Sequence, residues 1–448
     1  MEIAIKLSQF LLSLSILIVL HELGHFIPAK LFKTRVEKFY LFFDIKYSLF
    51  KKKIGETVYG IGWLPLGGYV KISGMIDESM DTEQMQGEPQ PWEFRSKPAW
   101  QRLIIMLGGV TVNFILAFLI YIGMTFFYGE KYIYNSDVKD GVWVQNKELE
   151  KAGILTGDKL LSIDGKPIVK FSPSINMDVL MAKSVLIDRN GQEKTITLPS
   201  NFIGKFIDQD KKGLIGLRMP FVVGGFSDDS ANKEQLKVKD VFVSVGGQSL
   251  RYYDQASDVF SSHKNSKVDA VVLRDGKEIK VTLTVNDKGK IGVAPTQITE
   301  ANLEKLGYYK FSTETFGFFE SIPVGIDKGF TQLGNYWKQL KLIFNPSTGA
   351  YKGVGGFAAI YNIFPDSWSW EIFWSITALL SIMLGVMNLL PIPALDGGHV
   401  MFLIYEMISG KKPSDKFMEK AQLVGFILLI SLLLFANGND IYKAIVGK

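Results

Sequence analysis

Three stretches of this chain run the width of a bilayer without one charged side chain. Leu103 to Phe127 is 25 residues long, Ile372 to Leu395 is 24, and Ala421 to Asn439 is 19. A hydrocarbon core of ~30 Å takes about 20 helical residues, so each stretch is long enough to span it. A fourth apolar run, Leu7 to Leu20, leads directly into His21-Glu22-Leu23-Gly24-His25 and then Phe26 to Ala29. A cleavable signal peptide would carry a basic start and a small-residue cleavage site after its apolar run, and three ionisable residues stand there instead. Four transmembrane helices are expected. The average hides this, since 47% apolar residues over 448 positions is ordinary for a soluble protein.

Lys and Arg near the span ends set the expected orientation. Lys30, Lys33, Arg35, Lys38, Lys51 to Lys53, Arg95, Lys97 and Arg102 lie between the first two spans, and Lys411, Lys412, Lys416 and Lys420 between the last two. Both segments should be cytoplasmic, leaving both termini and the long segment from Gly129 to Asp366 on the other face. A net charge of +5 argues for no nucleic-acid partner. The absence of cysteine removes disulfides, thiolate zinc sites and Cys nucleophiles together.

The long segment reads as β-rich, with short alternating runs bounded by Gly and Asp. It also repeats itself. Gly153-Ile154-Leu155-Thr156-Gly157-Asp158 with Leu160-Leu161-Ser162-Ile163-Asp164-Gly165 recurs 82 residues later, as Leu236-Lys237-Val238-Lys239-Asp240 with Phe242-Val243-Ser244-Val245-Gly246-Gly247. A hairpin turn follows in each copy, Asn190-Gly191 and Asp275-Gly276, of the kind that takes positive φ. Each copy closes on a matching strand, Leu214 to Leu217 and Lys290 to Val293. The second copy has weaker turn chemistry, with Gln235 where the first has Gly153.

His21-Glu22-Leu23-Gly24-His25 is HExxH. On a helix, positions i and i+4 share a face, so both imidazoles can reach one metal while Glu22 lies beside them as a base for a water activated there. Two neutral imidazoles with a carboxylate and an open position are the hydrolytic arrangement of zinc. Ionisable groups inside an apolar span are costly and mark function by default. Of the four histidines, His263 lies in the repeat, expected as a solvated loop residue. The end of the third span, Asn388-Leu389-Leu390-Pro391-Ile392-Pro393-Ala394-Leu395-Asp396-Gly397-Gly398-His399, offers two candidates for a third ligand, Asp396 and His399. Its prolines break helical hydrogen bonding at membrane depth, which requires protein or a polar cavity alongside.

HELGH in one span, with N-x-x-P-x-P-x-L-D-G in a later one, resembles the site-2 protease family of intramembrane zinc metalloproteases. The duplicated segment resembles bacterial protease-associated PDZ domains, and the resemblance covers essentially the whole chain. It includes Leu64-Pro65-Leu66-Gly67-Gly68-Tyr69-Val70-Lys71, similar to that family's membrane-associated β segment, and Ser96 to Arg102 leading into Asn113-Phe114. The chain departs from the family pattern at Gly109-Val110 and Gly355-Gly356, where Gly-Pro is common.

The resemblance implies a four-span membrane protein with a membrane-associated β segment and two extracytoplasmic PDZ domains. Residues 1–128 would hold two spans and the β segment, 129–222 and 223–297 the PDZ domains, and 298–448 a linker and two spans. It implies one zinc on His21, His25 and Asp396, Glu22 as the catalytic base, and Asn388 positioning the scissile peptide. The substrate would be a single-span protein of a bacterial inner membrane, already shortened outside: an anti-sigma factor first, remnant signal peptides second. PDZ grooves either take peptide ligands or act as a passive size filter. The region from Tyr47 to Met75, with strands at Thr57 to Trp63 and Tyr69 to Ser73, either traps an extended substrate at its edge or anchors the chain at the bilayer surface. A metal transporter or a non-catalytic PDZ scaffold is the alternative from another class; the first would need no Glu22 base and the second no metal.

Overall fold

The computed structural model describes residues 2–65, 67–75, 87–172, 174–207, 213–296 and 298–446. The chain divides into two compact units: residues 1–130, 315–344 and 351–448 form one, and residues 131–314 with 345–350 the other. Leu66, within the quoted β segment, lies outside the described residues.

The first unit opens with α1 (Glu2–Leu31), and a four-stranded sheet follows: β1 (Val36–Leu41), β2 (Phe43–Ile54), β3 (Thr57–Leu64) and β4 (Tyr69–Ile72). The sheet order is β2-β3-β1-β4, which leaves β4 with β1 as its single neighbour. Gly60 is required where it stands, because a Cβ there would meet the ring of Tyr40 at 2.3 Å. The long helix α2 (Ala99–Tyr128) then runs back beside α1. The two cross backbone to backbone: a Cβ on Gly24 would lie 2.4 Å from the Gly108 carbonyl oxygen, and one on Gly108 1.9 Å from that of Gly24. Small residues at a crossing let spans approach this closely, where dispersion and interhelical hydrogen bonds replace the hydrophobic drive. Ala29, Val36, Ile72, Ile105 and Met106 are the buried apolar side chains that seat the sheet on both helices.

The second unit contains the duplication. It runs β5 (Glu130–Tyr134), β6 (Val142–Val144), α3 (Lys147–Ala152), β7 (Lys159–Ile163), β8 (Lys166–Pro167), β9 (Lys170–Phe171), α4 (Ile175–Leu180), β10 (Ser184–Arg189), β11 (Gln192–Thr197), α5 (Phe202–Ile207) and β12 (Ile215–Leu217). The second copy is β13 (Val223–Phe226), β14 (Val241–Val245), β15 (Gln248–Ser249), α6 (Ala256–Ser261), β16 (Ser266–Arg274), β17 (Lys277–Val285) and β18 (Val293–Pro295). The sheets β8-β7-β10-β11 and β15-β14-β16-β17 have the same order, and β6·β12 and β13·β18 are matching two-stranded pairs. Each copy has its own core, around Leu149, Leu160 and Ile187 in the first and Phe242, Val272 and Leu283 in the second.

The turn chemistry behaves as the dipeptides require: Asn190 and Gly191 sit at φ +54° and +82°, Asp275 and Gly276 at +50° and +78°. An ion pair on a buried aspartate is also duplicated, Asp158 with the partly exposed Arg189 at 2.6 Å and Asp240 with the partly exposed Arg274 at 2.7 Å. Each aspartate accepts a backbone N–H three residues back, and each arginine reaches the carbonyl of residue 153 or 235. Gly153 is left-handed at φ +108° because it ends α3, whereas α-helix is absent from residues 227–240, so Gln235 meets no such demand. His263 is half-buried rather than solvated, with Nδ1 3.0 Å from the Val259 carbonyl and its ring against Gly246. After α7 (Glu300–Lys305), β19 (Phe311–Glu314) adds to β5 and β9.

The first unit resumes with α8 (Phe318–Ile343), a 26-residue amphipathic helix where a linker was expected. Gly325 and Gly329 bring it onto α2 against Ile122 and Phe118, and Lys328 reaches Thr125 and Glu130 at 2.9 and 3.0 Å. Then come α9 (Phe357–Asn362), α10 (Trp370–Leu389), α11 (Asp396–Ser409) and α12 (Asp415–Val446). Among the described residues, four helices are long and apolar enough to cross a membrane: Glu2–Leu31, Ala99–Tyr128, Trp370–Leu389 and Lys416–Tyr442. The third apolar stretch is therefore not helical to its end. Pro391 and Pro393 have no N–H to donate, and the helix stops at Leu389 and restarts at Asp396.

Candidate metal centre

HELGH lies in the last third of α1, with its two imidazoles one helical turn apart on the buried face. The rings meet edge to face at 4.9 Å between centroids, and their Nε2 atoms are 3.3 Å apart. Asp396 reaches the same point from the first turn of α11, with Oδ2 3.4 Å from His21 Nε2 and 3.3 Å from His25 Nε2. Its approach depends on the broken segment before it. Ala394 is left-handed at φ +82°, and Gly397 and Gly398 pack against their own preceding chain, where a Cβ would strike Leu390 O at 2.3 Å and Ile392 O at 2.6 Å. The sequence D-G-G thus meets a backbone requirement as well as placing a carboxylate beside the histidines.

The three donor atoms form a nearly equilateral triangle of 3.3 to 3.4 Å edges. Zinc bonds of ~2.0–2.1 Å in tetrahedral geometry separate neighbouring donors by about 3.3–3.4 Å, so the set fits that ion. Asp396 Oδ2 is buried with no hydrogen bond among the described residues, as expected of an atom whose lone pair serves a cation. His25 Nδ1 lies 2.8 Å from the Ile105 carbonyl, which can only accept; Nδ1 therefore carries the proton and Nε2 presents a lone pair to the triangle. Among the described residues, this is the group of His, Asp and Glu side chains that could hold a metal ion.

Of the two third-ligand candidates, Asp396 joins the triangle. His399, three residues further along α11, is buried beside Gln422 of α12 at 3.5 Å. Asn388, in the last turn of α10, has its Nδ2 3.3 Å from His21 Nε2. Glu22 lines the same cavity and takes a hydrogen bond from the Val70 backbone of β4. That cavity, about 1080 Å³, runs from the triangle along Gly68 to Ile72 on one side and Phe426 to Leu433 of α12 on the other.

Gly109 and Asn113, which the sequence offers only as parts of the family pattern, also touch the site. A Cβ on Gly109 would stand 2.4 Å from His25 Nε2 and 2.6 Å from His21 Cε1, so both rings pack against that glycine. Asn113, one turn further on, has its Nδ2 2.9 Å from His21 Nδ1. A Gly-Gly pair and a lone Asn inside an apolar span are the signals that would have found them.

The model of peptidase family M50 matches residues 9–432. The chain belongs to peptidase family M50. As an M50 member it is a metallopeptidase of the site-2 protease type. It is similar to the regulator of sigma E protease of Haemophilus influenzae, 28% identical over 471 residues that cover 98% of this chain and 99% of that one. Two further relatives carry names that designate them provisionally as zinc metalloproteases. One, from Fusobacterium nucleatum, is 28% identical over 438 residues, 96% of each chain. The other, from Thermotoga maritima, is 26% identical over 505 residues, 96% of this chain and 98% of that one.

Proposed function

We propose that this M50 peptidase hydrolyses a peptide bond within the transmembrane segment of single-span membrane proteins, as a step of regulated intramembrane proteolysis. The observation that carries it is the triangle of His21, His25 and Asp396 built among apolar spans. One zinc per chain is the ion its donor set and spacing support. When bound, zinc supplies a Lewis acid that polarises the scissile carbonyl and acidifies a water beside it. Glu22 accepts the proton of that water and delivers it to the amine nitrogen as the C–N bond breaks. Asn388, with its amide facing the triangle, donates to the scissile carbonyl oxygen and holds it in register.

A membrane helix hides its peptide bonds in its own hydrogen bonds, so the substrate must be drawn out before it is cut. Strand β4 supports this step: it is an edge strand, it lines the cavity, and its Val70 backbone faces Glu22. An unwound substrate adds to β4 as an extended strand and passes its backbone across the triangle. The remaining sheet edge, β2, exposes Tyr47, Leu49, Phe50 and Ile54 beside three lysines and suits the bilayer surface.

The substrates are single-span proteins already shortened on their extracytoplasmic side, of the anti-sigma-factor type, and remnant signal peptides. The two β repeats act as PDZ domains that exclude unshortened substrates and can take peptide ligands. Lys and Arg around the spans support an inner-membrane orientation with both termini and the repeats extracytoplasmic and the site toward the cytoplasm.

The test is cleavage of a single-span reporter in detergent by wild type and Glu22→Gln, with zinc counted in both. Cutting by wild type alone, with near one zinc in each, is the expected result. Equal cutting by both would remove Glu22 from its role, and zinc without cutting by either would sink the protease reading for that substrate class.

A further inference from the structure

We propose that Asn113 is a positioning residue of the metal centre, whose carboxamide oxygen accepts the Nδ1–H of His21 and so directs a bare Nε2 at the triangle. The proposal rests on the zinc reading above and extends it to a residue of α2.

The two histidines are held differently. A neutral imidazole has one N–H and one lone pair, and whichever nitrogen faces the metal obliges the other to carry the proton. His25 meets this through a backbone carbonyl, that of Ile105, which cannot donate. His21 has no such carbonyl on its Nδ1; its partner there is the Asn113 side chain at 2.9 Å. Asn113 is fully buried, and its own carbonyl is fixed by the Ser381 hydroxyl of α10 at 2.7 Å. Its side-chain oxygen Oδ1 has no hydrogen-bond partner among the described residues, while the NH2 group is the end that faces His21. The two ends of a carboxamide have the same shape, so hydrogen bonding alone decides which end faces the ring. With Nε2 committed to the triangle, Nδ1 carries its proton, and an NH2 group cannot receive it. A half-turn of the amide brings the unpartnered oxygen onto Nδ1–H at the same place.

A ligand histidine whose second nitrogen loses its acceptor typically costs a site about 10–100-fold in metal affinity. The full chain in detergent is therefore compared as wild type, Asn113→Asp, which keeps an acceptor, and Asn113→Leu, which matches the size and has none. Zinc retention is read against a graded chelator, and folding by the thermal melt. Asn113→Leu should lose zinc about 10–100-fold more readily than wild type while melting normally, and Asn113→Asp should restore retention to within a few-fold. Zinc held by Asn113→Leu as tightly as by wild type overturns the proposal. Should either variant fail to melt cooperatively, the 15N spectrum of histidine-labelled wild type with zinc decides. A protonated Nδ1 on the zinc-shifted imidazole of His21 supports the proposal, and an unprotonated one refutes it. Wild type that takes up no zinc at all would instead sink the metal reading itself, and this proposal with it.

Discussion

At the residue scale the site is governed by what is missing as much as by what coordinates. Gly109 exists because two imidazoles rest on it, so Gly109→Ala should push both rings and abolish stoichiometric zinc while the spans still assemble. Metal analysis beside the circular-dichroism spectrum checks this, and near one zinc in a normally helical variant would refute it. Gly24, inside HELGH, has a separate duty at the crossing with Gly108, and Gly24→Ala should separate α1 from α2 and destabilise the protein. Overpacking commonly costs ~1–3 kcal/mol, and a backbone-to-backbone contact leaves less room to relax than most. The ligand candidates were legible because HExxH and a carboxylate near a broken span are chemically expensive in a membrane. Gly109 and Asn113 were not: their roles depend on which helix face meets α1, and an all-apolar window does not encode a face.

At the level of elements, strand β4 is seated on α1 by Gly68, whose Cβ would meet Ile18 at 2.4 Å and the Tyr40 carbonyl at 2.7 Å. Gly68→Val should therefore lift β4 from the cavity, lowering kcat/KM for a single-span reporter at unchanged zinc content. Wild-type cleavage with this variant would detach β4 from substrate handling. The duplicated ion pairs give a second test. Arg189→Met leaves Asp158 buried without its cation and should destabilise the first repeat by about 3 kcal/mol. Since each repeat has its own core, hydrogen exchange should rise in residues 142–217 and much less in 223–295. The repeats, their hairpins and strands β3 and β4 were readable from alternation and turn dipeptides. Helix α8 was not, because its charges, among them Asp327, Lys328 and Lys338, break the uniform apolarity that marks a span, and its packing on α2 depends on Gly325 and Gly329. The helix stop at Leu389 was signalled by Pro391 and Pro393, yet the uncharged window running past them to Leu395 concealed it.

For the whole molecule, the proposal places size selection in the second unit and chemistry in the first. Removing residues 131–314 should let the enzyme cut substrates whose extracytoplasmic part is intact, read as product from an unshortened reporter beside a shortened one. Continued refusal of the unshortened reporter would end the filter reading. How the two units cooperate was beyond the reach of sequence, since periodicity reports local faces and not the arrangement of separate cores. The triangle has one more consequence, which belongs to the chain's birth rather than its working life. Its histidines come from α1 and its aspartate from α11; 367 residues separate His21 from Asn388, and Asp396 follows later still. A ribosome makes the imidazole pair long before the carboxylate, so a chain caught between the two holds two of the three donors of the triangle. The third donor is absent until Asp396 is made, and a chain ended at residue 389 should bind zinc no better than its two histidines allow.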